Sequence, residues 1–213
     1  MTIPRPPGAR QPDRMPPATR PAPLWARAVS EILSPAHLVM ALPLAIGWHA
    51  TWPEFSGALW GLVASLFCGA VPYAVILAGV RAGRLTDKHI ARRDQRVRPL
   101  VLALGSVVAG LGALLLLGAI PAVVVLVLGM LVALAVIVPI TAFWKISLHA
   151  AVAAGTAIVL TFTFGGLAAA LAWPLTVLVA AARVALGAHT VAQVIAGGLV
   201  GSLVPLGVYL LAL

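Results

Sequence analysis

From Pro121 to Phe143 the chain carries no charged side chain at all, and the stretch is long enough to cross a bilayer as a helix. Lipid offers no partner for a bare amide, so a spanning segment must satisfy its backbone internally, as a helix or within a closed barrel. The apolar residues here run on without strict alternation, which selects the helix. Comparable runs occur at Ala36–Trp52, Gly57–Val80, Leu100–Ala119, Leu148–Trp173, Pro174–Gly187 and Thr190–Leu213. The expected fold is therefore all-α: a polytopic transmembrane helix bundle of six to seven membrane segments. Seven is the direct count. Six is the competing one, because the first run is marginal and the sixth is short. With 62% hydrophobic and 9% charged residues, the chain has too little polar surface to cover itself as a soluble domain.

Around this bundle the sequence predicts little else. Residues 1–23, rich in Pro and Arg, read as a disordered tail without the apolar core and cleavage site of a signal peptide. Residues 24–213 read as a single transmembrane domain, opened by a short interfacial helix at Leu24–Leu33, with Ser34-Pro35 as the start signal of the next helix. Trp52, Trp144 and Trp173 sit near the ends of apolar runs and suit interfacial anchoring. The lone Cys68 reads as a buried, inert thiol; no disulfide or zinc site can be built from it. Small residues at helix-packing spacing, Gly57 with Gly61 and Gly197 with Gly201, predict close intramolecular packing, and also leave a homo-oligomer open.

The net charge of +9 is concentrated, not spread. Lys and Arg fall in the tail to Arg27, in Arg81–Arg98, at Lys145 and at Arg183. This pattern excludes a nucleic-acid binder with a general basic face and fits a topology signal combined with a polyanion site. Seven crossings put Arg81–Arg98, Lys145 and the Arg183–His189 turn on the side of the tail. The opposite connections, near Pro53–Ser56, Ile120 and Trp173, carry no Lys or Arg. Three polar islands thus converge on one membrane face.

Each island has its own chemistry. In ARVALGAHTVAQ, His189 and Gln193 are four apart and share a helix face, so the amide oxygen can fix the imidazole tautomer. Arg183 reaches the same pocket or snorkels to the interface; His189 faces that pocket or caps a helix. In KISLHA, Ser147 is a helix N-cap or a hydroxyl donor to an anion, beside His149. In DKHIARRDQRVRPL, the cations touch anionic headgroups or clamp a phosphate, whose oxygens match Arg bidentately.

Together the islands resemble the type 2 phosphatidic acid phosphatase superfamily, which includes the vanadium haloperoxidases and whose signature runs KxxxxxxRP, PSGH and SRxxxxxHxxxD. Ala182-Arg183, His189 and Gln193 follow the third motif, and Ile146-Ser147-Leu148-His149 the second. For the first motif, Arg98-Pro99 supplies the RP with Ala91 where Lys stands. A second register pairs His89 with Arg96 and loses the proline; Lys88, Arg92 and Arg93 are further stand-ins. The resemblance implies a lipid phosphatase in which His189 is the nucleophile and His149 the general acid. Arg183, Ser147 and cations drawn from Lys88, His89, Arg92, Arg96 and Arg98 would hold phosphate, with no metal and no cofactor.

One position departs from the pattern: Gln193 replaces an aspartate. An amide orients the ring without offsetting imidazolium charge, unless Asp87 or Asp94 folds over His189. The alternatives are an inactive member acting as a membrane lipid-binding or scaffold protein, and an intramembrane prenyltransferase, disfavoured because no acid follows Asp94. A haloperoxidase is disfavoured because those relatives are soluble and larger. The expected partners are a lipid phosphate or diphosphate, of phosphatidate or polyprenyl type, and membrane lipids. The expected location is the plasma membrane, with the N-terminus and the site on the cytoplasmic face.

Overall fold

A computed structural model describes residues 22–90 and 92–212. The expectation for the tail lies almost wholly outside these residues. Among them the regular structure is helical: α1 (Leu24–Ile32), α2 (Pro35–Ala50), α3 (Ser56–Ser65), α4 (Val71–Arg81), α5 (Val97–Leu116), α6 (Pro121–Phe143), α7 (Leu148–Phe164), α8 (Gly166–Ala185) and α9 (Val191–Ala212).

Local chemistry explains most of the boundaries. The Ser34 hydroxyl accepts from the His37 amide and Pro35 occupies the first helical position, so α2 starts where the sequence predicts. Pro121 likewise occupies the first position of α6, there without a side-chain cap. A π turn, Leu66–Ala70, joins α3 to α4 into one span from Ser56 to Arg81. The turn lies just ahead of Pro72, where a proline ring and its missing N–H disturb the regular ladder.

Five helices are long and apolar enough to cross a membrane, and α1 with α2, bent by 41° at the Leu33–Ser34 joint, makes a sixth if taken as one span. The shorter α7 has 17 residues, about 25 Å at a helical rise of about 1.5 Å per residue. Its ends nevertheless lie at opposite faces. His149 joins the polar site, while Phe164 meets His49 of α2 with ring centroids 4.6 Å apart.

One boundary differs from expectation. The fifth and sixth segments divide at Gly165, not between Trp173 and Pro174. Gly165 adopts φ 77°, ψ −158°, a conformation that only glycine takes without strain, and it stops α7 there. Pro174 sits inside α8, on its exposed side, without ending the helix. Hence α8 is a full-length span rather than a short one, and Trp173 lies within it rather than at its end.

The two glycine pairs act within the chain. A Cβ on Gly57 or Gly61 would strike the α2 backbone at Gly47 or Pro43, and one on Gly197 or Gly201 would strike the carbonyl of Ser147 or Ala151 on α7. Small residues there allow backbones to touch, and α7 and α9 start side by side. The Ser147 amide donates to the Gln193 carbonyl at 3.2 Å, locking those two helix starts together.

Candidate active site

The turn between α8 and α9 carries the central imidazole. Gly187, at φ 63°, lets α8 end abruptly, and the Ala188 and His189 amides both donate to the Arg183 carbonyl. Thr190 and Gln193 then form a capping box: the Gln193 amide donates to Thr190 Oγ1 at 3.3 Å, and the Thr190 amide to Gln193 Oε1 at 3.2 Å. The same Oε1 lies 3.1 Å from His189 Nδ1. Since the Thr190 amide can only donate, Oε1 is held as an acceptor, and His189 must carry its proton on Nδ1. That leaves the lone pair on Nε2.

His189 is buried, and its pKa is pushed down from the usual 6.5 to about 3. Burial is the largest cause, followed by the positive charge of Arg96, Lys145 and Arg183; the Gln193 bond opposes the shift. The ring is therefore a neutral imidazole throughout the physiological range, within electrostatic reach of three cationic side chains.

The start of α7 contributes the second imidazole. Ser147 is fully buried and caps α7, its hydroxyl accepting from the Ala150 amide at 3.3 Å. The N-cap reading of Ser147 thus holds, and the hydroxyl proton is still free to donate. His149, in the first turn, places Nε2 at 3.3 Å from the Ser30 carbonyl on α1. Its ring centroid lies 5.3 Å from that of His89.

Arg183, 6% exposed, turns inward instead of snorkelling, and its Nε is buried without a hydrogen-bond partner. A buried guanidinium N–H without a protein acceptor is chemically suited to donate to an oxyanion. Asp87 lies within Coulombic range of both Arg96 and Arg183.

The basic segment divides sharply. Arg96 is 3% exposed and stitches the loop to the bundle: Nε donates to the Ile90 carbonyl at 2.8 Å, and Nη1 to the Ile146 carbonyl at 3.1 Å. Ile90 is held at φ 48°, uncommon for a β-branched residue, by that bond and by its own burial. The pair His89 and Arg96 therefore stands at the site. Arg98 is exposed at the start of α5, and Arg92 is exposed and paired with Asp94 at 2.7 Å. Asp94 is committed to that pair, away from His189. Lys88 reaches the site only through Glu31 of α1, with Nζ 2.6 Å from Oε2.

Glu31 and Ser30 were not singled out by the sequence. Glu31 also binds His89, with Oε1 2.9 Å from Nε2. The available signal was scarcity: Glu31 is one of five acids in the chain and stands within a short amphipathic helix.

Beneath the polar cluster lies an apolar cavity of about 220 Å³ between α2, α4, α5, α6, α7 and α9. Leu100 and Leu148 line it next to the site, and Val159, Pro205 and Tyr209 line it deeper in the bundle.

The family model that matches this chain is that of the PAP2 superfamily, over residues 138–212. That segment holds Ser147, His149, Arg183, His189 and Gln193, and excludes α1 and the basic loop. No curated protein and no solved structure matches the chain.

Proposed function

We propose, for a chain that belongs to the type 2 phosphatidic acid phosphatase superfamily through residues 138–212 and whose relatives are generally phosphatases, an integral-membrane lipid phosphatase with a histidine nucleophile. The observation that carries the reading is the His189–Gln193 bond, which leaves the lone pair on Nε2 of a ring within electrostatic reach of buried Arg183 and Arg96.

The chemistry runs in two steps. His189 Nε2 attacks phosphorus; the bond to the leaving oxygen breaks, and His149, in its protonated form, gives that oxygen a proton. A phosphohistidine results. Water, deprotonated by the now neutral His149, then attacks phosphorus, releasing phosphate and restoring both rings. Arg183, with its unpartnered Nε, Ser147 and the partial positive charge at the start of α7 would stabilise the equatorial oxygens. Arg96 acts mainly through its charge, because two of its nitrogens are bonded to backbone carbonyls. His89 occupies the position of the family's lysine in this arrangement. The reaction needs no metal, since these cations supply the electrostatic stabilisation.

What supports a lipid substrate is the apolar cavity beside Leu148, one residue from His149, which suits the chain of a phosphatidate or a polyprenyl phosphate or diphosphate. Lys88, Arg93, Lys145 and Arg183 lie at the site end, and the connections at the other end carry no Lys or Arg, which supports a cytoplasmic site in the plasma membrane.

Purified full-length protein in detergent micelles, presented with phosphatidate and with polyprenyl mono- and diphosphates, is expected to release phosphate from at least one. His189→Ala should abolish release; equal rates would remove His189 from the role of nucleophile. A second reading, a lipid-binding member without turnover, draws on Gln193, whose capping-box bonds alone could account for it. Binding of these lipids with no release by the wild-type protein would favour it. For sidedness, a single tail cysteine in a Cys68→Ala background should resist an impermeant thiol reagent in intact cells.

A further inference from the structure

Three donors of the candidate site are already occupied by protein. The Ser30 carbonyl sits on His149 Nε2 at 3.3 Å, where a leaving oxygen would accept a proton. The Glu31 carboxylate bridges Lys88 Nζ at 2.6 Å and His89 Nε2 at 2.9 Å, an anion with two oxygens across two nitrogen donors. Adjacent residues of one helical turn thus present an ester-like acceptor and a phosphate-like anion to the groups expected to bind a phosphate ester.

The contacts that hold this turn are unequal. Ala26 is fully buried, and α1 packs on α8, the helix that carries Arg183. Yet Ser30 Oγ is buried without any hydrogen-bond partner, a feature more easily kept by a face that separates than by permanent core. The Glu31–Lys88 pair is half open to solvent, at 48% and 41% exposure, so it is weak and displaceable. Leu24, Trp25 and Ile32 project outward from α1, ready to rest in the membrane interface, and the bent joint at Leu33–Ser34 is a natural pivot.

We propose that the last turn of α1 is a plug: Ser30 and Glu31 occupy the site of the free protein, and a phosphate group binds by displacing them. The ligand's identity as a lipid phosphate rests on the phosphatase reading above; the displacement itself does not, because inorganic phosphate is enough to reveal it. The sign distinguishes a plug from a brace. A carboxylate that merely held Lys88 and His89 in place would strengthen phosphate binding, whereas a competing carboxylate weakens it.

Glu31→Gln keeps the shape and removes the charge. In the full-length protein in micelles, titration with orthophosphate should give a Kd about three- to tenfold lower than wild type, the range expected for loss of weak exposed ion pairs. For whichever lipid phosphate is turned over, KM should fall by a similar factor with kcat within about twofold. Independently, hydrogen exchange of the α1 amides in the wild-type protein should accelerate when orthophosphate is added. An unchanged or higher Kd in Glu31→Gln, slower α1 exchange with phosphate, or no phosphate binding by wild type would each overturn the plug. Absence of turnover on every lipid, with phosphate binding and α1 release intact, would instead overturn the phosphatase reading alone.

Discussion

Gln193→Glu asks whether an amide is doing a weakened version of a carboxylate's work. The substitution is isosteric, and Glu at this position still completes the capping box with Thr190, so the start of α9 is preserved. It places a negative charge about where Oε1 now lies, 3.1 Å from His189 Nδ1. Two unit charges at that separation, with an effective dielectric near 20, interact by roughly 5 kcal/mol, which is a ceiling. Arg96, Lys145 and Arg183 compete for the carboxylate, so the shift observed for an opposite charge at contact, about 1–3 pKa units, is the better guide. Starting from about 3, His189 would rise to roughly 4–6 and stay neutral at pH 7. The nucleophile is therefore not lost, while the imidazolium charge that develops during phosphoryl transfer is stabilised. If about 1.4–2.7 kcal/mol of that reaches the transition state, kcat rises roughly ten- to a hundredfold. The assay is phosphate release against pH, in which the acid limb of kcat/KM should move up by about 1–3 units. A folded Gln193→Glu protein with unchanged kcat and an unmoved acid limb would refute the reasoning and leave Gln193 as a helix cap.

Three further outcomes follow from the same geometry. Because His189 is held near 3 against an ordinary 6.5, the unfolded chain takes up its proton first; stability is fully present above about pH 6.5 and declines toward pH 3 by up to ~1.4 kcal/mol per unit. Thermal unfolding of His189→Asn across that window should show a shallower slope, and an identical slope would place the acid sensitivity elsewhere. Gly201→Val sets a side chain against the backbone of Ala151, which cannot yield, and should cost about 1–3 kcal/mol and lower turnover by separating the starts of α7 and α9; Gly198→Ala, with open space around its Cβ, is the matched control and should melt like wild type. Val152→Trp fills the cavity one turn below His149, so KM should rise for long-chain lipid phosphates and not for a water-soluble phosphate ester; equal effects on both would remove the cavity from substrate binding.

Much of this site was legible without coordinates because lipid makes polar residues conspicuous. Ser147, His149, Arg183 and His189 stand out among apolar neighbours, and counting crossings brings their islands to one face. The order of the basic loop was not legible in the same way. Seven cations between Arg81 and Arg98 follow no helical or strand period, so spacing alone allowed either Arg96 or Arg98 as the inner arginine. Folding separates them: Arg96 finds the carbonyls of Ile90 and Ile146 and is buried, while Arg98, in the first turn of α5, faces out. The helix break at Gly165 was hidden for a similar reason, since Gly165 and Pro174 are both plausible stops and only packing decides which one bends the chain.

Composition and the spacing of polar residues determined the bundle, the face on which its polar islands meet, and the pairing of His189 with Gln193, because these depend on local periodicity and on the cost of polar groups in lipid. Tertiary structure alone decided that His89 and Arg96 enter the site, that Asp94 is spent on Arg92, and that Glu31 crosses 57 positions of sequence to bind Lys88. Contacts of that kind are selected by the docking of whole helices, such as α1 on α8, and leave no trace in the periodicity of either partner.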